Sequence, residues 1–238
     1  ENWGTCPSRV GKITQKKSNK QLQLSYTAKA SNAGAELTWK ASITIAPGSL
    51  TFTVTAKPDK DFRTNRTGFV VLHPIAGIAG RPLTVTHTDG SKERSRFPRR
   101  ISPGQPFFEI AALDHSPAPG LKAHVSMEGN KFEMEDQRNW GDASFKTYVC
   151  SLLDPWPYTL RAGETFTQTI RLGVKGAPRK APARTTRKPA ALRPTRLPAI
   201  GLSVAPEDAE ATLEHVHNLL SLKPDFLSFF LDTDTSGE

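Results

Sequence analysis

LTWKASITIAPGSLTFTVT, residues 37–55, alternates apolar and polar side chains on both sides of a Pro47-Gly48 turn. Leu37, Trp39, Ala41, Ile43 and Ile45 share one face of a first strand, and Leu50, Phe52 and Val54 stand against Thr51, Thr53 and Thr55 on a second. A period of two marks a strand with one buried face, and Pro-Gly between two such runs is turn chemistry. The pattern continues outward through Leu83 and Val85, then Leu121, Ala123, Val125 and Met127, then Phe166, Ile170 and Leu172. Asp89-Gly90, Gly129-Asn130 and Ala162-Gly163 supply further turns. Strand follows strand without a helix between them. This predicts a mainly β fold, a large antiparallel β-sandwich, over residues 1–174.

A chain of 238 residues with 37% hydrophobic content can bury a core of that size. Its net charge of +9 is not spread over that core. Arg171, Lys175, Arg179, Lys180, Arg184, Arg187, Lys188, Arg193 and Arg196 lie between Thr165 and Pro206 with no acidic residue among them, and they account for all of it. The Pro/Ala/Arg-rich run is too poor in large apolar residues to fold on itself, so residues 175–198 read as a disordered linker and no nucleic-acid partner is expected. Beyond it the rhythm changes. AIGLSVA (199–205) is a short strand, Pro206-Glu207-Asp208 a helix start, Leu213, Val216, Leu219 and Leu220 a helical stripe, and FLSFFL (226–231) a second strand. Residues 199–238 therefore read as one βαβ unit, the start of a (β/α) barrel or doubly wound domain that continues past Glu238.

Cys6 and Cys150 are too far apart in sequence for a disulfide framework and fit a reducing, cytoplasmic setting. No apolar run reaches the roughly 18 residues of a spanning helix, so no membrane partner is expected. Glu1-Asn2-Trp3-Gly4 has neither an initiator Met nor a signal sequence and reads as the interior of a longer gene product. GxSxG, HExxH, P-loop and GxGxxG patterns are all missing. His73, His87, His115 and His124 are scattered, and His215 and His217 lack the i, i+4 spacing of a metal pair, so neither a metal nor a cofactor is expected.

One stretch departs from the plain alternation. FEMEDQRNWGDASFKTY, residues 132–148, mixes acidic and basic side chains with Trp140, Phe145 and Tyr148. Read as a strand over 132–140, it places Asp136, Arg138 and Trp140 on one face and Glu133, Glu135, Gln137 and Asn139 on the other. A solvated edge strand with an Asp136–Arg138 pair would explain it, and so would a polar cluster with an aromatic platform for a polyol. Composition leaves both open.

NRTGFVVLHPIAGIAGRPLTVTHTDGS (65–91), FPRRISPGQPFFEIAAL (97–113), the EMEDQRNW motif and LDPWPYTLRAGETFTQTIRL (153–172) together resemble the N-terminal domain of the D-apionate lactonase family, and ENWGT (1–5) is similar to another stretch of it. The resemblance implies a mutarotase-like β-sandwich followed by a TIM-barrel-like domain. It also implies opening of a branched-chain sugar-acid lactone in bacterial carbohydrate catabolism, with a small sugar lactone as partner. In that setting Glu135, Asp136, Gln137, Arg138, Asn139, Trp140 and Asp142 are candidates for substrate binding or for an interface with the missing barrel. Asp232 and Asp234, at the end of the second barrel strand, are the only catalytic candidates in view. The alternative is a noncatalytic carbohydrate-binding or structural sandwich attached to a glycosidase-like barrel.

Overall fold

The computed structural model describes residues 4–177 and 199–229. Glu1–Trp3, most of the expected linker (178–198), Asp232 and Asp234 lie outside the described residues. The chain divides into two compact units, Glu1–Ala183 and Arg184–Glu238.

In the first unit the described strands are β1 (Ser8–Val10), β2 (Thr14–Lys17), β3 (Leu22–Asn32), β4 (Ala35–Ala46), β5 (Ser49–Pro58), β6 (Phe62–Thr64), β7 (Val70–Pro74), β8 (Pro82–His87), β9 (Lys92–Arg96), β10 (Phe107–His115), β11 (Leu121–Glu128), β12 (Phe132–Asp136), β13 (Ser144–Val149), β14 (Tyr158–Leu160) and β15 (Phe166–Gly176). The 37–55 stretch forms the β4–β5 hairpin, with Gly48 at φ 72° as the turn requires. Its threonine face is a ladder: the hydroxyls of Thr53 and Thr55 meet those of Thr169 and Thr167 on β15, each at 3.0 Å. One 13-stranded antiparallel sheet results, running β1-β3-β4-β5-β15-β11-β10-β12-β13-β7, with β2 on β3 and β8–β9 branching from β10. β15 runs through Gly176, two residues into the expected linker, because Lys175 and Gly176 pair with Lys122 and Leu121 of β11.

β10 was not marked by alternation, and its position explains why. Phe107–Ile110 pairs with β12, whereas Ile110–His115 pairs with β8, and Glu109 at φ 50° marks the switch between them. The register shifts between Phe107 and Ile110 and again between Ile110 and Ala112, so Phe107, Ile110 and Leu113 are all buried and FFEIAAL loses its period of two. The fork also closes the sandwich. Phe97, following β9, lies 5.2 Å from the Phe145 ring of β13 and 5.3 Å from the His115 ring of β10, so the two branches meet across one core. Ile110, Leu113, Phe132, Met134 and Val85 fill the remainder with no exposed surface. A second cluster of Ala35, Leu37, Ala56 and Phe62 lies where the small β6–β14 sheet is found.

His73 is buried in the first core, with Nε2 3.0 Å from the Thr147 hydroxyl and its ring beside His115. Burial, aided by His115, lowers its pKa from 6.5 to about 4. The unfolded chain takes up this proton near pH 6.5 and the folded chain only near pH 4, so stability falls as pH drops through that window and is unaffected above it. The expected loss is about 3 kcal/mol between pH 7 and 4. Unfolding free energies of the wild type and His73→Gln at pH 7 and 4.5 check this. The variant should show a clearly shallower decline, and an identical decline would contradict the assignment.

In the second unit β16 (Gly201–Val204) and β17 (Phe226–Phe229) pair in parallel. A single-turn helix at Pro206–Asp208, α1 (Ala209–Glu214) and α2 (Val216–Leu222) connect them, so this part is a βαβ unit. The helix is interrupted at His215, whose φ of −108° and ψ of 25° leave the helical region. Among the described residues no helix is long and apolar enough to cross a membrane.

Candidate functional site

The charged stretch folds as the β12–β13 hairpin, and β12 ends at Asp136 rather than reaching Trp140. Asp136 is the cause. Its carboxylate accepts from the Arg138 backbone N–H, capping a 3-10 turn over Gln137–Trp140, and Gly141 at φ 80° closes that turn in the left-handed region. The expected common face of Asp136, Arg138 and Trp140 is therefore broken. Phe132, Met134 and Asp136 point one way, with Phe145, Thr147 and Val149 as cross-strand partners, while Glu133 and Glu135 point the other way beside Tyr148 and Lys146.

On the core face Asp136 is fully buried. Arg138 forks onto it, with Nε 2.8 Å from Oδ1 and Nη2 2.6 Å from Oδ2. The same guanidinium donates to the carbonyls of Pro98, Arg99 and Arg100, while Asp136 Oδ2 accepts from the Ser102 N–H at 3.0 Å. Asn139 Nδ2 donates to the Ser102 carbonyl at 2.5 Å. Together they bind segment 97–105, an irregular run whose backbone groups need partners from outside itself. Burial pushes the Asp136 carboxyl up, but the Arg138 and Ser102 hydrogen bonds more than offset this and hold it below its ordinary value. All three guanidinium nitrogens donate within the chain.

On the opposite face Glu133 is also fully buried. It accepts from the Tyr148 hydroxyl, from the Ser151 hydroxyl at 2.7 Å and from the Leu152 N–H at 3.0 Å, with Arg66 Nη2 at 3.5 Å. The Arg66 guanidinium lies 3.7 Å from the centroid of the Tyr148 ring. Burial and the bond to Glu133 raise the Tyr148 pKa to about 12, so the phenol stays a donor. Glu133 appeared in sequence only as a face neighbour, and Arg66 gave no local signal.

The remaining candidates sit outward. Glu135 joins Lys146 Nζ at 2.8 Å, the Trp140 indole N–H at 2.9 Å and the Gln137 amide at 2.8 Å. Partial burial raises its pKa, but Lys146 and Trp140 outweigh that, so it titrates below the ordinary glutamate value. Trp140 is 74% exposed. Asp142 is exposed and accepts from the Ser144 hydroxyl at 2.8 Å and the Ala143 N–H at 2.7 Å. The structure thus separates the seven candidates into a clamp built by Arg138 and Asn139 around the buried Asp136 and an outer group of Glu135, Gln137 and Trp140, with Asp142 shaping the turn. Among the described residues no cluster of three or more His, Cys, Asp or Glu could hold a metal ion.

Residues 1–177 match the family model of the D-apionate lactonase N-terminal domain. A curated D-apionate lactonase from Brucella anthropi is 38% identical over 97% of this chain, which spans 39% of that relative's length. Among solved structures, the α-galactosidase from Lactobacillus brevis is 13% identical at a TM-score of 0.43, covering 72% of this chain and 27% of that one. A GH36 α-galactosidase from Geobacillus stearothermophilus is 12% identical at a TM-score of 0.47, covering 73% and 28%. At these scores the likenesses add nothing to the fold derived above. The family match over residues 1–177, with the sequence identity extending past them, establishes that this chain belongs to the D-apionate lactonase family and contains its N-terminal domain.

Proposed function

We propose that the chain is the N-terminal part of a sugar-acid lactone hydrolase, which opens a branched-chain aldonolactone to the free acid in bacterial carbohydrate catabolism. The supporting observation is the 38% identity to a D-apionate lactonase, sustained over 97% of the chain. Lactone hydrolysis needs a base for the attacking water, donors for the oxyanion and an acid for the departing alkoxide. This reading assigns those groups to a (β/α) barrel following the sandwich, at the ends of its strands, where Asp232 and Asp234 are the candidates in this sequence. The parallel βαβ unit at 201–229 supports that assignment, as do Leu213, Leu220, Phe226 and Phe229, which remain exposed and would be covered by neighbouring barrel elements. Two free thiols, Cys6 and Cys150, agree with a cytoplasmic location.

Within the sandwich, Asp136, Arg138 and Asn139 serve the fold, and Glu135, Gln137 and Trp140 are the side chains of the motif left for a substrate. Full-length protein in a pH-stat with C4 and C5 aldonolactones, branched and unbranched, tests the activity. Acid release faster on the branched lactone is expected. No release above the uncatalysed rate from any of them would overturn the reading.

A further inference from the structure

Trp39 has only Ala28 and Ala56 beside it across the neighbouring strands β3 and β5. Phe166 of β15 stands beyond Ala56 in the same row, and Tyr26, Trp39 and Phe52 border a cavity of about 920 Å³ on this face of the sheet. Arg63, Arg66 and Lys146 line the same cavity, and its described lining contains neither Asp nor Glu. Glu133 and Glu135 reach two of these cations from the hairpin, as described above, and so fix where Arg66 and Lys146 stand. The wall carrying Arg66 is itself held rigidly. Gln168 accepts from the Phe69 N–H at 3.1 Å and donates to the Thr67 carbonyl, while a Cβ at Gly68 would overlap Gln168 and Val149.

A half-buried aromatic floor suits the apolar face of a sugar, amides and hydroxyls at the rim suit its hydroxyl groups, and an excess of cations suits a carboxylate. We infer that this cavity is a binding site for an acidic sugar of one to two residues, with the ring on Trp39 and the carboxylate at Arg63. Its volume lies toward the upper end of the roughly 300–1,000 Å³ usual for small-molecule sites, which favours the two-residue ligand. The site lies on the sandwich, and direct binding reads it without any turnover.

Calorimetric titration of the full-length protein with lactobionate and lactitol, which differ by a carboxylate in place of a hydroxymethyl group, tests the inference. Lactobionate should bind at least tenfold more tightly. Arg63→Gln, on an exposed side chain, should remove that preference while keeping the weak binding of lactitol. Trp39→Leu should weaken both ligands about tenfold, with near-unchanged circular dichroism confirming the fold. Absence of binding by either sugar, equal binding of the two, or a preference that survives Arg63→Gln would overturn the proposal.

Discussion

Replacing Arg138 by Ala is expected to lower the unfolding free energy by about 3–5 kcal/mol, the range for removing one partner of a buried ion pair. Two losses combine. Asp136, with no exposed surface, loses both guanidinium bonds, and the carbonyls of Pro98, Arg99 and Arg100 lose their donor. Segment 97–105 should then loosen, and with it Phe97, which joins the two layers of the core. Arg138→Lys keeps the charge but not the planar fork, so it should recover less than half of the loss. Denaturant midpoints at constant slope measure both variants. A shift below about 0.5 kcal/mol for Arg138→Ala, the size expected of an exposed pair, would show that the clamp is dispensable.

Glu133→Ala should cost a similar amount, about 4 kcal/mol, by a different route. The Tyr148 and Ser151 hydroxyls and the Leu152 N–H all lose an acceptor that has no exposed surface, and Arg66 loses this carboxylate. Unsatisfied buried donors cost roughly 1–3 kcal/mol each. Glu133→Gln retains one acceptor oxygen but turns an amide toward other donors, so it should fall in between, near 2 kcal/mol. Thermal and denaturant unfolding of both variants provides the check. The order wild type, Gln, Ala is the expected result, and a Gln variant as unstable as Ala would mean that charge, not acceptance, is what the site requires.

The sequence carried the fold wherever one face of a strand meets water. Residues 37–55 show this plainly, since Leu37, Ala41 and Val54 turn inward while Thr53 and Thr55 form a ladder with β15. It carried less at β10, where two register shifts at the fork break the alternation. The turn at 137–140 was legible in principle. Asp136 followed five residues later by Gly141 is a cap at each end of a short helical turn, but the alternation before it suggested a longer strand. The site was harder to read. Arg138 and the carbonyls of 98–100 are separated by about 40 residues, and Arg66 and Glu133 by more. Composition shows that charge is concentrated at 132–148, but only the register of β12 and β13 shows that it divides into a clamp around the buried Asp136, a buried network around Glu133 and an outer group.

If Asp136 and Arg138 act on each other and on the fold, their effects on stability are coupled and turnover does not depend on them. A double-mutant cycle of Asp136→Ala and Arg138→Ala in the full-length protein, with unfolding free energy and lactone kcat/KM read on the same samples, tests it most directly. A coupling of about 2–3 kcal/mol in stability is expected, with kcat/KM within about twofold of wild type wherever the variants are folded. Additive stability effects together with a tenfold or larger loss of kcat/KM in folded protein would contradict it.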